Sequence, residues 1–166
     1  AIKVLRRPKG SMLQRFRDEI TAQSQLSHIR GVLPILESFV DKEPDTKRPW
    51  HATPIAQTLK DSLDGQITTV VECVVSIAKT LAEVHALGFS HRDVKPENIL
   101  RRLGVWEIGD FGLVDFPNKQ ALTLEGSKLG PVYFIAPEML LNPATADGQP
   151  ADVFSLAKTL WVLLTG

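Results

Sequence analysis

The chain has 166 residues, enough for one domain or two small lobes, and its composition, 43% hydrophobic and 23% charged, is typical of globular proteins. Its 19 basic and 19 acidic side chains balance, and the lack of a basic excess argues against a nucleic-acid-binding protein. The single cysteine, Cys73, excludes an intrachain disulfide and favours a reducing, cytoplasmic location, and the longest apolar run, 14 residues including Lys158, is too short to span a bilayer.

The first third of the chain predicts short strands and one helix. "AIKVL" at the N-terminus alternates apolar and polar residues, as a half-buried strand does. A helix is expected from Gln14 to Leu26. "GVLPILESFV" predicts an edge or irregular strand, because Pro34 cannot donate to a strand ladder. "WHATPIA" predicts a short strand that leads into a linker at about 55–59.

The rest of the chain predicts helices around a polar loop. A capping box of Thr69 and Glu72 is expected to begin a helix that ends near Gly88, a C-terminal cap. "NIL" and "VWEIGD" predict two strands around the tight turn "RRLG". The stretch 111–133 shows little periodicity, and long stretches of this kind in compact domains tend to be functional or disordered. A final helix is expected from about Ala151.

This order of elements predicts an α+β protein with two lobes, because strands and one helix come first and mainly helices follow. We expect residues 1–55 to form part of a small lobe and residues 56–166 part of a large, mostly helical lobe. The sequence begins inside a strand-like segment at Ala1 and stops after an apolar segment at Gly166. We therefore expect an internal piece of a longer protein, since natural ends are usually more polar.

The polar stretch "HRDVKPEN" carries the groups that chemistry requires. Asp93 and Asn98 are five residues apart with Lys95 between them, and Asp110 follows twelve residues after Asn98, at the end of a predicted strand. Carboxylate and amide oxygens suit Mg²⁺. A second carboxylate can orient an attacking hydroxyl or accept its proton, and a lysine can neutralise a transferred phosphoryl group. The set therefore predicts phosphoryl transfer.

Four motifs, in order along the chain, resemble the signature of the protein kinase family. They are Ala1–Lys3, His91–Asn98, Asp110–Gly112 and Ala136–Glu138. The segment from Asp152 resembles the central helix of the family's large lobe, with Phe154 in place of a tryptophan. The resemblance covers essentially the whole chain. It implies a truncated two-lobed kinase fold, ATP and Mg²⁺ as cofactors and a protein hydroxyl as acceptor.

The resemblance also implies a role for each matching residue of the catalytic motifs. Asp93 is implied as the catalytic base and Lys95 as the contact of the γ-phosphate. Lys3 would hold the α- and β-phosphates, and Asn98 and Asp110 would bind Mg²⁺.

The same resemblance suggests the residues that support Lys3 and enclose the adenine. Glu19 is the expected partner of Lys3, because "EITAQSQLSH" approximates the family's Glu-Ile-x-x-Leu-x-x-Leu-x-His pattern. Thr53 would lie at the back of the adenine pocket. Ile55 and Ala56 would form the hinge, whose backbone meets the adenine. Ala1 and Leu100 would sandwich the ring. His91 and Asp152 would be structural, with Asp152 binding the backbone of the catalytic loop.

The sequence departs from the family pattern at several points. The family's glycine-rich loop would precede Ala1, so we expect an isolated chain of this length to be poorly active. Gln23 stands where the family usually has an apolar residue that helps align the lobes. The segment "GPVYFIAPE", which contains Pro131, resembles the corresponding segment of tyrosine kinases. Lys95, in contrast, is the residue type found at this position in serine/threonine kinases. Because Lys95 takes part in the chemistry, we expect serine and threonine acceptors.

Arg92 raises the question of regulation. In the family, an arginine before the base often pairs with a phosphate on the activation loop and orders it. Thr123 and Ser127 lie in that loop. One hypothesis is that phosphorylation of either residue raises activity, and the other is that both are solvated hydroxyls.

Three functions compete at this point. The first is an ATP-dependent protein serine/threonine kinase. The second is a pseudokinase or scaffold that binds partners without efficient catalysis; the filled positions Lys3, Asp93, Asn98 and Asp110 argue against it. The third is a small-molecule phosphotransferase of the antibiotic-kinase type, which usually lacks the Arg after His and the Ala-Pro-Glu motif present here.

Overall fold

The computed structural model describes residues 1–7, 9–40, 48–117 and 132–166. Within these ranges the chain forms two three-stranded sheets, several short helical segments and three helices of sixteen residues or more. Of the six strands in the described residues, four lie before residue 59, and two of the three long helices lie after it, a partial separation typical of an α+β fold.

The first sheet brings the N-terminal strand next to the segment that follows the charged loop. Its strands are β1 (Ile2–Val4), β2 (Glu37–Phe39) and β3 (Trp50–Ala52), in the antiparallel order β1–β3–β2. The register places Lys3 opposite His51. Side chains of directly opposed residues in an antiparallel pair lie on the same face of the sheet, so Lys3 and His51 share a face.

Helix α1 (Gly10–Gln25) begins four residues before the expected start at Gln14. Leu13 and Phe16 are both buried and three residues apart, so the apolar face already begins in the first turn. The same buried face also carries polar side chains one and two turns further on, which makes it unusual. These are Asp18, Glu19 and Gln23.

The strand expected over 31–40 is largely irregular, and only its second part forms β2. Val32 makes an isolated bridge with Ile108, supported by hydrogen bonds from Leu33 N to the Ile108 carbonyl (2.9 Å) and from Ile108 N to the residue 31 carbonyl (2.8 Å). Pro34 has no N–H group, so the pairing cannot continue past it. This bridge connects the segment after α1 to the second sheet.

The second sheet contains the predicted hairpin. Its strands β4 (Gln57–Thr58), β5 (Ile99–Arg102) and β6 (Val105–Ile108) are antiparallel, in that order. The turn residues Leu103 and Gly104 have φ values of 50° and 79°. Two successive residues with positive φ are typical of a type I′ turn, whose twist matches that of the flanking strands. The two-strand prediction for this region is confirmed.

Four α-helices follow the first sheet within the described residues. They are α2 (Leu59–Ser62), α3 (Ile67–Ala86), α4 (Pro137–Leu141) and α5 (Gly148–Thr165). Two of them pack against the β5–β6 hairpin, α2 against β5 and α3 against β6. Helix α3 packs against α5 on one side and against β6 on the other. The main core draws on nearly every element and includes the following fully buried or nearly buried side chains: Leu26, Ile77, Val84, Ile99, Ile108, Phe111, Val114 and Leu156.

The expected capping box at the start of α3 is wrong. The helix begins at Ile67, so Thr69 lies inside its first turn. Asp64 holds the preceding chain reversal instead, because its Oδ1 accepts a hydrogen bond from Gln66 N at 3.0 Å. That backbone bond, followed by a hydrogen bond from the Thr69 hydroxyl, lowers the pKa of the Asp64 carboxyl. The residue before the helix, Gln66, makes no side-chain capping hydrogen bond, so α3 begins without the predicted cap and Asp64 orders only the turn that leads into it.

The ends of the two long C-terminal helices follow local signals. Gly88, with φ of 80°, ends α3 as expected, and its N–H donates to the His85 carbonyl at 2.8 Å. Helix α5 begins at Gly148 rather than near Ala151, because the Asp147 side chain caps it by accepting from Gln149 N at 3.0 Å. In the described ranges, no helix is long and apolar enough to cross a membrane.

A close approach between the residue 31 backbone and α3 gives a stability prediction. A Cβ atom at Gly31 would lie 1.8 Å from Thr80 Oγ1. We therefore expect Gly31→Ala to lower the free energy of unfolding by about 1–3 kcal/mol, measured by denaturant titration of the full-length protein. Thr80→Ala removes the hydroxyl and the methyl group that the new Cβ would meet. In that background the cost of Gly31→Ala should shrink, and an unchanged cost would contradict the steric explanation.

Candidate active site

The loop between α3 and β5 is fixed by a carboxylate from α5. Asp152 is fully buried, and its Oδ2 and Oδ1 accept hydrogen bonds from His91 N and Arg92 N, each at 2.7 Å. His85 Nε2 lies 2.9 Å from Oδ2 of the same carboxylate. Charge-assisted hydrogen bonds of this kind are roughly twice as strong as neutral ones. The expectation that Asp152 binds the backbone of this loop is confirmed.

His91 connects the loop to the end of β6. Its Nδ1 accepts a hydrogen bond from Asp93 N at 3.2 Å, so the ring proton belongs on Nε2, which donates to the Gly109 carbonyl at 3.0 Å. The ring is completely buried, and its centroid lies 4.5 Å from that of Phe111. Both ring nitrogens are therefore occupied by backbone groups, and the histidine orients the backbone on either side of the site.

Asp93 has one carboxylate oxygen held by two donors. Lys95 Nζ lies 2.6 Å from Asp93 Oδ2, and Asn98 Nδ2 donates to the same oxygen at 3.0 Å. Asn98 Nδ2 also donates to the Asp93 carbonyl at 2.7 Å. The Asp93 side chain is 14% exposed. These bonds fix the orientation of the carboxylate, while Oδ1 makes no hydrogen bond with the described residues and can accept one from a substrate.

A second cluster links three separate elements through Lys3. Its Nζ lies 2.7 Å from Glu19 Oε1 and 2.8 Å from Asp110 Oδ1. Glu19 is buried on α1, whereas the side chains of Lys3 and Asp110 are about half exposed, at 45% and 46%. The lysine therefore joins β1, α1 and the second residue after β6 through two ion pairs. The pairing of Lys3 with Glu19 is the one that the sequence suggested.

The two ion pairs keep Lys3 and Asp110 charged. Burial by itself would lower the pKa of Lys3, but the carboxylates of Glu19 and Asp110 outweigh this effect and raise the pKa above its ordinary value. Burial would raise the pKa of Asp110, but the charge and hydrogen bond of Lys3, with smaller contributions from His91 and Lys95, lower the pKa. A raised lysine pKa and a lowered aspartate pKa both widen the pH range, around neutrality, over which the pair is ionised.

Asn98 and Asp110 both have an oxygen available for a metal ion. The described hydrogen bonds of the Asn98 side chain use Nδ2, so Oδ1 is available; Lys3 occupies Asp110 Oδ1, so Oδ2 is available. The Asn98 carbonyl accepts from Gly109 N at 2.9 Å, which brings the backbones beside the two side chains together. A carboxylate and an amide oxygen fit Mg²⁺, which takes its other ligands from water and phosphate.

The residues expected around adenine are only partly connected in the structure. Ala1 and Thr53 exchange two hydrogen bonds, from the Ala1 amino group to the Thr53 carbonyl (2.6 Å) and from Thr53 N to the Ala1 carbonyl (2.9 Å). Ile55 is 87% exposed, and Ala56 and Leu100 are half-buried. Within the described residues, no hydrogen bond links Ile55, Ala56 or Leu100 to the catalytic groups. The adenine contacts of all these residues stay predictions.

Two buried polar residues lie near Glu19 in roles that the sequence did not predict. His51 Nε2 lies 3.3 Å from Glu19 Oε1, within ion-pair distance but without hydrogen-bond alignment, and its ring centroid is 5.3 Å from that of Phe16. Gln23 Nε2 donates to the Leu33 carbonyl at 2.5 Å. Gln23 therefore replaces the expected apolar contact with a hydrogen bond. The alternation of the β3 segment was the available signal for the inward position of His51.

Three positions discussed from the sequence, Thr123, Ser127 and Pro131, lie outside the described residues. The hypotheses of activation by phosphorylation at Thr123 or Ser127 and of a tyrosine-kinase-like contact at Pro131 stay predictions.

Comparison with known proteins identifies the family. The sequence model of the protein kinase domain matches residues 1–166. A probable serine/threonine-protein kinase pknA2 of Bifidobacterium longum is 40% identical over 65% of this chain and 15% of its own length. The serine/threonine-protein kinase PknL of Mycobacterium tuberculosis is 32% identical over 93% of this chain and 39% of its own length. A probable serine/threonine-protein kinase of Clostridium perfringens, CPE1738, is 29% identical over 100% of this chain.

The chain thus spans well under half of the length of these relatives, from 15% to 39%. The match to the family model nevertheless covers every residue, and it agrees with the sheets, the helices and the order of the motifs. On these grounds the chain belongs to the protein kinase domain family and has its α+β fold.

Proposed function

We propose that this chain is the catalytic segment of a protein kinase that transfers the γ-phosphate of ATP to serine and threonine hydroxyls. The observation that carries the proposal is the state of the Asp93 carboxylate, with Oδ2 held by Lys95 and Asn98 and Oδ1 free of described hydrogen bonds. A fixed carboxylate with one free oxygen is what a general base requires. The names of the relatives, all serine/threonine-protein kinases, support the acceptor class.

In this proposal Asp93 Oδ1 accepts the proton of the substrate hydroxyl. The hydroxyl oxygen forms a bond to the γ-phosphorus while the bond from that phosphorus to the β–γ bridging oxygen breaks, and ADP leaves with the electron pair. Lys95 lies 2.6 Å from the base, close enough to contact the γ-phosphate as it moves between donor and acceptor. Its positive charge offsets negative charge on the transferred group.

Nucleotide binding is assigned to the groups around Lys3. Lys3 would hold the α- and β-phosphates, and Glu19 would fix the position of the lysine from inside α1. The adenine would lie between the two lobes proposed here, residues 1–55 and 56–166. Thr53 would stand at the back of its pocket. Ile55 and Ala56 would form the hinge, and Ala1 and Leu100 would enclose the adenine ring.

Asn98 and Asp110 would hold Mg²⁺, using the two oxygens described above. Bound Mg²⁺ supplies charge neutralisation at the phosphate oxygens. Within the chain, Lys3 links the metal-binding carboxylate of Asp110 to the buried Glu19. The metal ligand and the phosphate-binding lysine therefore hold one another in place before either meets the nucleotide.

The proposal is tested with the full-length protein, ATP, Mg²⁺ and matched peptide libraries that contain serine, threonine or tyrosine as the sole acceptor. We expect phosphoserine and phosphothreonine as products. In a parallel assay with aminoglycosides as acceptors, which tests the antibiotic-kinase alternative, we expect no transfer. Nucleotide binding without transfer to any library would support the scaffold alternative instead. Phosphotyrosine as the main product would retain the kinase but overturn the acceptor preference.

A further inference from the structure

The residue before the base occupies a backbone conformation that must be enforced. Arg92 has φ of 63°, in the left-handed region that few residues other than glycine adopt. Such a residue persists only where surrounding contacts determine it. Because Asp93 follows directly, any relaxation of Arg92 toward an ordinary conformation turns the backbone that carries the base. The contacts of Arg92 therefore bear on the position of Asp93.

The Arg92 side chain is held mainly by one carboxylate. Arg92 NH2 lies 2.6 Å from Asp115 Oδ2 and donates to the Ala146 carbonyl at 3.2 Å. The arginine side chain is 16% exposed and that of Asp115 is 40% exposed. Within the described part of the chain, the buried Nε of Arg92 has no acceptor. Asp115 thus supplies the only anionic partner described for a largely buried guanidinium, and its loss would leave that charge uncompensated.

Asp115 is in turn attached to the same loop by its backbone. Asp115 N donates to the Ser90 carbonyl and Ser90 N donates to the Asp115 carbonyl, each at 2.9 Å. These two bonds place the start of the segment after Asp110 directly against the residues that precede the base. The ion pair and the two backbone bonds close a small ring of contacts from Ser90 through Arg92 to Asp115.

A glycine on α5 leaves just enough room for this arrangement. A Cβ atom at Gly148 would lie 2.1 Å from Ser90 Oγ and 2.7 Å from Arg92 Nε. The guanidinium is therefore enclosed by the start of α5 on one side and by Asp115 on another. An incoming anion would have to compete with a carboxylate that is already at contact distance.

We propose that Asp115 is a positioning residue: it neutralises the Arg92 side chain, stabilises the left-handed backbone before Asp93 together with Asp152, which binds Arg92 N, and so sets the base without a phosphate on Thr123 or Ser127. This inference rests on the proposed kinase function and deepens it, since it concerns how the same site is regulated. Phosphorylation of the two hydroxyls is then not required for activity, because the charge that a phosphate would provide is already present as a carboxylate.

The first test removes the Asp115 charge in the full-length protein. Asp115→Asn should lower kcat about tenfold with the KM for ATP within about twofold, because it weakens one charge-assisted contact of a positioning group. Asp115→Glu, which keeps the charge, should recover most of the loss. In an Arg92→Gln background, Asp115→Asn should have no further effect on kcat. The matched control is Asp61→Asn, at an exposed carboxylate of α2 whose bond from the Thr58 hydroxyl an amide oxygen can also accept, and its kcat should equal that of the wild type.

A second readout separates positioning from simple support of the fold. Hydrogen exchange at the Arg92 and Asp93 amides should become about tenfold faster in Asp115→Asn, while amides within α3 keep their rates. A role limited to fold stability predicts instead a lower melting temperature with kcat unchanged at a temperature where the variant is folded. That result, or equal kcat losses in Asp115→Asn and Asp115→Glu with wild-type exchange rates, would overturn the proposal.

The phosphate arm uses phosphatase-treated protein, checked by mass spectrometry, and the Thr123→Ala/Ser127→Ala double variant. Both should retain kcat within about twofold of the untreated wild type. A tenfold loss in either would show that a phosphate sets the base and would refute the inference. Asp93→Asn serves as the reference for the proposed function: its kcat should fall by about 10²–10⁴-fold with or without phosphatase treatment. Failure of this inference and failure of the kinase function therefore give different patterns.

Discussion

Replacing Asp93 with asparagine is expected to lower kcat by about 10²–10⁴-fold while the KM for ATP stays within about threefold. The change keeps the size of the side chain. The amide oxygen can still accept hydrogen bonds from Lys95 and Asn98, in the position that Oδ2 now holds. The group facing the substrate then becomes an NH2 donor, which cannot take the proton of the hydroxyl. Steady-state phosphate transfer by the full-length protein measures both constants.

The matched control for this substitution is in the same loop. Glu97 is an exposed carboxylate four residues after Asp93, and Glu97→Gln makes the same chemical change without touching the described contacts of the base. We expect its kcat to equal that of the wild type. Equal losses of kcat in the two variants would mean that removing any carboxylate charge from this loop impairs it. A wild-type kcat in Asp93→Asn would show that Asp93 is not the base.

The parts of the fold that the sequence predicted correctly are those set by neighbouring residues. The β5–β6 hairpin follows from "RRLG", because Gly104 accepts a positive φ, and the end of α3 follows from Gly88 for the same reason. The errors at helix starts also concern short polar patterns: Thr69 lies inside the first turn of α3 and does not cap it, and Asp64, five residues earlier, binds only the Gln66 N–H group in the preceding turn. Several residues near a helix start can cap it, and only the fold decides among them.

The catalytic residues could be predicted because their spacing is short and ordered, whereas the residues that hold them could not. Asp93, Lys95 and Asn98 lie within six residues, and the structure brings them into contact through one oxygen of Asp93. The pairing of Arg92 with Asp115 crosses 22 intervening residues, and no local pattern distinguishes Asp115 from the other acidic residues of that region. Such a contact depends on the pairing of the segment after Asp110 with the loop, through Ser90 and Asp115, which is tertiary information.

Replacing Asp110 with asparagine is expected to lower kcat/KM by about 10²–10³-fold at ordinary Mg²⁺ concentrations and to move the Mg²⁺ midpoint at least about tenfold higher. Asparagine tolerates the left-handed backbone, here φ of 59°, so the substitution removes charge without adding strain. Part of the activity should return at raised Mg²⁺. Because Lys3 holds the pKa of Asp110 below its ordinary value, the wild-type carboxylate is ionised throughout the neutral range. Its titration should therefore add no pH dependence to the Mg²⁺ midpoint there.

Glu19→Gln is the control that separates the metal from the lysine. Both substitutions remove one of the two carboxylates that contact Lys3, at 2.7 Å for Glu19 and 2.8 Å for Asp110. If Asp110 binds Mg²⁺, only Asp110→Asn shifts the Mg²⁺ midpoint, whereas Glu19→Gln raises the KM for ATP at an unchanged midpoint. Identical shifts in the two variants would mean that Asp110 acts only through Lys3. The first outcome is favoured by Asp110 Oδ2, which has no described hydrogen bond within residues 1–7, 9–40, 48–117 and 132–166, because the ion pair with Lys3 uses Oδ1.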